Sequence, residues 1–155
     1  MGDLTPGARK MSENDDFLLI LGVPEMDRDH QAIDALFSAV AATGDAELPS
    51  LLDRISRELE AHFAREEQLM ADGHAPLVEC HKAQHRMLLR EVAEMTKVAP
   101  VAPAKDLRRL MQFVLPQVVA AHVASVDRVA AAYLTGDIED RDLAALRLQT
   151  AAAKV

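Results

Sequence analysis

The chain has 155 residues, half of them hydrophobic, and a formal net charge of −8. This length is typical of one domain with a sizeable core, and the acidic balance argues against nucleic-acid binding, which needs a basic surface. Aromatic residues make up only 3% and Trp is absent, which favours packed helices over a β-sandwich. We therefore expect an all-α domain.

Three features of the sequence predict a cytoplasmic protein. The single cysteine, Cys80, cannot form a disulfide within the chain, which fits a reducing compartment. Residues 1–16 are polar and acidic and lack the basic-then-apolar order of a signal peptide. No uninterrupted apolar run reaches 18 residues, so we expect no membrane-spanning segment.

Gly and Pro breakers in residues 1–25 predict an irregular N-terminal arm, whose apolar run 17–21 is expected to pack over the fold. Four long helices follow, and the pattern of turn residues and helix stops predicts their bounds. These bounds are about 27–44, 49–73 and 76–97, and from the Pro-containing segment 99–104 to about 136.

Pro116 predicts a kink or break in the fourth helix, and residues 140–153 predict a short, fifth amphipathic helix. The short loops between long helices predict an antiparallel up-down-up-down four-helix bundle. We expect a single domain over 1–155, with a core of about 22–135, the N-terminal arm 1–25 and a C-terminal extension 137–155.

Each long helix has a hydrophobic stripe at helical spacing, and histidines interrupt these stripes. The predicted inward faces are His30, Ile33, Phe37 and Val40; Leu51, Ile55, Leu59, His62, Glu66 and Leu69; Leu77, His81, His85, Leu88, Val92 and Met95; and Leu107, Met111, Val114, Val118, His122, Val126 and Val129.

A lone histidine on an apolar face is usually a core residue bonded to a carbonyl. Five of them with a glutamate are harder to satisfy, because bundle helices have already paired their own backbone groups. An unpartnered buried polar group costs about 1–3 kcal/mol, and metal coordination removes that cost. These residues with Asp127 make seven potential ligands, more than one ion needs, so the pattern predicts a two-metal site.

The spacing within each pair of residues determines how strongly that pair indicates a shared metal ion. His62 with Glu66, and His81 with His85, lie four residues apart and share a face. His122 and Asp127 lie five apart, a rotation of about 140° from a common face in an α-helix, so Asp127 would have to reach in from the flank. Neither His-Glu-x-x-His nor Glu-x-x-His occurs, which excludes the zinc-protease helix and the ferritin-like di-iron plan.

Four further residues have simpler interpretations. His74 lies in a Gly-Pro turn and is expected to be exposed. Cys80 is interpreted as a small packing residue, Glu67 is expected to face solvent, and Met70 is expected near the site.

The seven residues resemble the pattern of the hemerythrin family, and within it the single-domain bacterial hemerythrins. The family has one His on the first helix, His-x-x-x-Glu on the second, His-x-x-x-His on the third and His-x-x-x-x-Asp on the fourth. Here these positions are His30, His62 and Glu66, His81 and His85, and His122 and Asp127. The local sequences His62-Phe63, Glu66-Glu67 and Met26-Asp27 also match, and the resemblance covers about residues 22–135.

The resemblance implies two non-heme iron ions (Fe2+/Fe3+) with a bridging oxo or hydroxo group. His81, His85 and His122 would hold one iron and His30 with His62 the other, while Glu66 and Asp127 would bridge them. The implied function is reversible dioxygen binding for storage, delivery or buffering, without catalysis. Four residues would line the dioxygen pocket: Ile33, Met70, Val119 and Val118, the last at a position where family members often carry Trp.

Three alternative functions stay open at this point. The first is an O2- or redox-sensing module acting through a partner, the second a di-iron enzyme of peroxidase or nitric-oxide-handling type, and the third metal sequestration. Besides dioxygen, other small diatomic or anionic ligands are candidate partners, and the extension 137–155 is a candidate for self-association or docking of a protein. Nucleic acid and membrane are not expected as partners.

Overall fold

Four long helices dominate the computed structural model, which describes residue 18 and residues 20–138. They are α1 (Pro24–Ala39), α2 (Leu48–Asp72), α3 (Val78–Val98) and α4 (Ala104–Leu134), and they form a four-helix bundle in which α2 packs against α1 and α3. Short 3-10 turns at Val40–Ala42, Asp45–Glu47 and Ala99–Val101 connect them. No strand occurs in the described part of the chain, so the predicted all-α bundle is confirmed.

The first helix begins earlier than predicted. It starts at Pro24 rather than Asp27, because the fixed φ of proline suits the first helical turn, where its missing N–H has no helical partner to lose. The Asp27 carboxylate then accepts the backbone N–H groups of Leu21 and Gly22 at 2.7 and 3.0 Å. Gly22 has a φ of +83°, a turn that favours glycine. The chain entering the helix is thereby fixed.

The fourth helix is not a regular α-helix. Two π-turns, Leu110–Val114 and Val123–Asp127, interrupt it, and each adds one residue to a turn through an i→i+5 hydrogen bond. The first π-turn lies directly before Pro116, whose ring would otherwise crowd the carbonyl of Gln112. The helix therefore continues through Pro116, so of the predicted kink or break the break is absent.

The π-turns also shift the inward face of α4. Val114 and Val118, predicted inward, are exposed, whereas Leu115 and Val119 are buried. The prediction failed because it assumed α-helical spacing beyond Met111. In α3 the predicted Leu77 is also exposed, because it precedes the helix in a left-handed conformation with φ +64°.

The core lies between the four helices and includes Leu52, Ile55, Phe63 and Met111. Leu18 of the apolar run 17–21 is buried in this core, and its N–H donates to Asp34 at 2.9 Å. Ile20 of the same run is exposed, so the run packs over the body only in part. Phe17, Leu19 and the predicted fifth helix 140–153 lie outside the described residues.

Helix α4 is long and apolar enough to cross a membrane by length and composition alone. The expectation of no membrane-spanning segment rested on the absence of an uninterrupted apolar run of 18 residues, and α4 contains no such run. Its inward face, however, carries the buried His122 and Asp127 and contributes Leu107 and Met111 to the core. These are the contacts of a bundle helix.

Arg108 ties the start of α4 to the end of α1. Its guanidinium donates to the carbonyls of Val40 and Thr43 at 2.7 and 2.8 Å and to Asp45 at 2.6 Å.

Replacing Arg108 with Ala leaves those helix-end carbonyls without their charged donor. We expect Arg108→Ala to lower the free energy of unfolding by about 1–3 kcal/mol, measured by urea denaturation. The neighbouring Arg109 is exposed and serves as the control, because Arg109→Ala should change the free energy of unfolding by less than about 0.5 kcal/mol. Equal effects of the two would contradict this role.

Candidate metal centre

The seven predicted ligands are all buried and converge between the four helices. Their donor atoms form two groups, each with all atoms within 4.8 Å of one another. The first group is Glu66, His81, His85, His122 and Asp127, and the second is His30, His62 and Asp127. Asp127 belongs to both groups.

The second π-turn explains how Asp127 reaches the centre. The N–H of Arg128 bonds to the carbonyl of Val123, so five residues complete about one turn here. His122 and Asp127 therefore share a face, with His122 Nε2 at 2.8 Å from Asp127 Oδ1. The prediction that Asp127 reaches in from the flank is wrong because it assumed regular α-helix.

The two oxygens of Asp127 face different histidines. Oδ1 lies 2.9 Å from His81 Nε2 and 2.8 Å from His122 Nε2. Oδ2 lies 3.6 Å from His30 Nε2. One carboxylate thus connects the three-histidine group to the two-histidine group, which is the position of a bridging ligand.

Glu66 is the second carboxylate of the centre. Its Oε2 lies 3.2, 3.6 and 3.9 Å from the Nε2 atoms of His85, His81 and His62. Within the described part of the chain, neither Glu66 oxygen has a hydrogen-bond partner although both are buried. A buried carboxylate in this condition is strongly unfavourable.

Buried ring nitrogens of two histidines also lack hydrogen-bond partners in the part of the chain that the structure describes. His85 Nε2 and both ring nitrogens of His122 lack a hydrogen bond to any described residue, since the short His122–Asp127 contact does not have hydrogen-bond geometry. Imidazole and carboxylate donors are the ligands that first-row transition metals accept. The donor set therefore fits two such ions, which would satisfy these atoms.

Two carboxylates contact the histidines from outside the cluster. Asp29 Oδ2 lies 3.3 Å from His62 Nδ1, and Glu67 Oε1 lies 3.0 Å from His85 Nδ1. Such partners orient the imidazole and leave its other nitrogen available to a metal. Asp29 was not among the predicted site residues, and Glu67, predicted to face solvent, is partly buried. Each lies beside a predicted ligand in the chain, which was the signal available, but only the helix packing shows which histidine it meets.

Apolar side chains enclose the centre. Phe63 stacks on the His85 ring, with centroids 4.0 Å apart and planes 8° apart. Ile33, Met70 and Val119 are buried, but Val118 is 43% exposed. The predicted inward orientation of Val118 is therefore wrong.

His74 lies in the α2–α3 connection and Cys80 lies just after it, and neither was predicted to be a ligand. His74 is exposed, as predicted, with φ +52°. Cys80 is exposed as well, so its interpretation as a packing residue is wrong. It lines an apolar cavity of about 310 Å³ between α3 and α4, with Leu77 and Tyr133.

Burial favours the neutral form of two imidazoles, His62 and His85, by lowering their pKa values. Burial and the neighbouring His30 lower the pKa of His62 to about 4. Burial also lowers the pKa of His85, against the opposing effect of Glu67. Neutral imidazole is the form that binds a metal.

The carboxylates diverge in pKa. Burial, and then the negative charge of Asp127, raise the pKa of Glu66 to about 9. Burial opposes ionisation of Asp127, but contacts with His122, His30 and His81 hold its pKa well below the usual range. At Asp29, hydrogen bonds from Arg65 and His62 outweigh burial and lower the pKa.

Comparison with known proteins points to a family of cation-binding domains. The family model described as "Hemerythrin HHE cation binding domain" matches residues 21–134. A bacteriohemerythrin from Ralstonia nicotianae is 33% identical over 116 residues, covering 75% of this chain and 84% of that protein. No solved structure gives a significant match.

The raised pKa of Glu66 predicts a pH dependence of stability in the metal-free chain. Folded Glu66 keeps its proton up to about pH 9, whereas the unfolded group loses it near 4.5. The folded state therefore binds more protons between these values, and its free energy of unfolding falls as the pH rises. Between pH 7 and 9, we expect a fall of about 1 kcal/mol for each pH unit, measured by denaturation with chelator present.

Glu66→Gln is the matched variant, because its amide does not ionise. Its free energy of unfolding should lack this fall, so the two curves diverge as the pH rises. Parallel curves for the parent chain and the variant would show that Glu66 is already ionised at pH 7.

Proposed function

Because the chain belongs to the hemerythrin family, we propose that it is a non-heme di-iron protein that binds dioxygen reversibly, for storage, delivery or local buffering. The observation that carries the proposal is the buried pair of donor groups sharing Asp127. Two ions at ligand distance from a shared carboxylate would be close enough to act on one small molecule.

His81, His85 and His122 would hold one iron, and His30 with His62 would hold the other. Glu66 and Asp127 would bridge the two irons, alongside an oxo or hydroxo group. Imidazole-rich coordination suits iron. Two ferrous ions would supply the electrons that dioxygen accepts when it binds. The second group offers one imidazole fewer, so we place the exogenous ligand there.

The remaining residues would protect this chemistry rather than perform an acid–base step. Ile33, Met70 and Val119 are buried, each within one helical turn of a ligand, and would limit the access of water, which slows irreversible oxidation. Phe63 holds the plane of the His85 imidazole through stacking. These roles fit binding better than turnover, so we propose a carrier rather than an enzyme.

We also propose the domain organisation, the location and the competing ligands of the protein. We infer one domain over 1–155 with its core at about 22–135, located in the cytoplasm. Dioxygen is the proposed ligand, and other small diatomic or anionic molecules would compete for the same position.

Iron content is the first measurement. Protein expressed with ample iron should contain two irons per chain. His122→Ala removes a ligand of the first group and should lose at least one iron together with dioxygen binding. His74→Ala changes an exposed histidine and should retain both. One metal per parent chain, or an equal loss in the two variants, would contradict the proposed site.

Dioxygen binding is tested directly by optical spectroscopy. Protein reduced without air and then exposed to air should give a stable oxy spectrum that disappears under vacuum and returns with air. Rapid oxidation to the ferric form without an oxy species would exclude the carrier function and favour the enzyme alternative. Repeated cycling without loss of amplitude would separate binding from slow turnover.

A further inference from the structure

Asp29 is held far more firmly than an ordinary surface carboxylate. Arg65 donates to it through two nitrogens, Nε to Oδ2 at 2.8 Å and Nη2 to Oδ1 at 2.9 Å. Arg65 Nη2 also lies 3.2 Å from Glu58 Oε1. Paired donation from a planar guanidinium fixes the plane of a carboxylate as well as its position. The oxygen that meets His62 is therefore fixed in direction.

The equivalent carboxylate on the other group is held differently. Glu67 accepts from His85, but its only cationic neighbour within salt-bridge distance among the described residues is Lys82, at 3.8 Å. The Glu67 side chain is 28% exposed and that of Asp29 is 15% exposed. Lysine acts as a point charge without directional pairing. The supporting contacts of the two donor groups are thus unequal.

We propose that Asp29 and Arg65 form a positioning clamp that sets how tightly the iron at His30 and His62 is retained, independently of the other iron. This inference rests on the proposed di-iron function. The clamp holds the His62 ring with its proton on Nδ1, so that Nε2 points inward as a ligand. Because this group has the fewer imidazoles, misalignment of one ring removes a larger share of its protein ligands.

A simpler interpretation is that the pair only joins α1 to α2. An ion pair of that kind contributes little at a surface and would not distinguish one iron from the other. Helix α2 offers a matched control in Asp53 and Arg57, which pair at 2.6 Å on the exposed surface away from the ligands. Asp53→Asn and Arg57→Gln should leave iron retention unchanged.

The test measures the iron retained per chain at rising chelator concentration. In Asp29→Ala, one of the two irons should be released at a chelator concentration about 10- to 100-fold lower than in the parent, while the other is unaffected. Asp29→Asn keeps an acceptor oxygen and should shift release less. Arg65→Lys keeps the charge without the paired geometry, and should lie between the parent and Arg65→Gln.

Two further measurements identify the mechanism. If Arg65 acts through Asp29, then adding Arg65→Gln to Asp29→Ala, which removes both acceptor oxygens, should produce no further shift. In Glu67→Ala the other iron should become the labile one, so Mössbauer spectra of the single iron retained by Asp29→Ala and by Glu67→Ala should differ. Circular dichroism of each metal-free variant checks the fold, and the Arg65 variants carry the test if Asp29→Ala does not fold.

Three results would overturn the clamp. They are equal release of both irons in Asp29→Ala, a similar shift in the Asp53 and Arg57 controls, and additive effects of the Asp29 and Arg65 changes. A parent chain with two irons and unaffected Asp29 variants would remove this inference alone. A parent chain without two irons would remove the proposed function and the clamp together.

Discussion

The burial of Asp127 is the constraint on which the rest of the centre depends. Its carboxylate is fully buried and faces histidines from both donor groups. It reaches that position only because one turn of α4 is widened by a residue. A π-turn has poorer hydrogen-bond geometry than an α-turn and recurs at functional sites, so the helix gives up regularity where the ligands require it.

The same constraint shapes the energetics of the metal-free protein. Two carboxylates and five imidazoles occupy a core whose backbone groups are already paired. Glu66 has a pKa raised to about 9 and Asp127 one well below its usual value, so at neutral pH the pair carries a single negative charge. Metal binding would replace that proton with ligand bonds, and folding and metal affinity are coupled for this reason.

The sequence was sufficient where helices are regular. In α1 and α2, the residues of the predicted stripes are buried, including His30, His62 and Glu66, except for Leu69, which is partly buried. In α4 the same reasoning placed Val114 and Val118 inward, because a π-turn has no reliable sequence signal. Asp29 could not be assigned either, since its contact with His62 depends on how α1 and α2 lie against each other and not on the spacing along one helix.

Because α4 contains two π-turns, the number of residues between Leu110 and Asp127 determines which side chains of the helix face the centre. Each turn contains one more residue than an α-helix needs, and the ligands follow the first turn by a fixed number of positions. Loss of one residue from 110–114 would rotate everything beyond it by about 100°. Substitutions at exposed Phe113 or Val114 leave that register intact. In related chains, insertions and deletions should therefore be confined to the connections between helices, while the length from Leu110 to Asp127 stays constant even as side chains other than His122 and Asp127 vary.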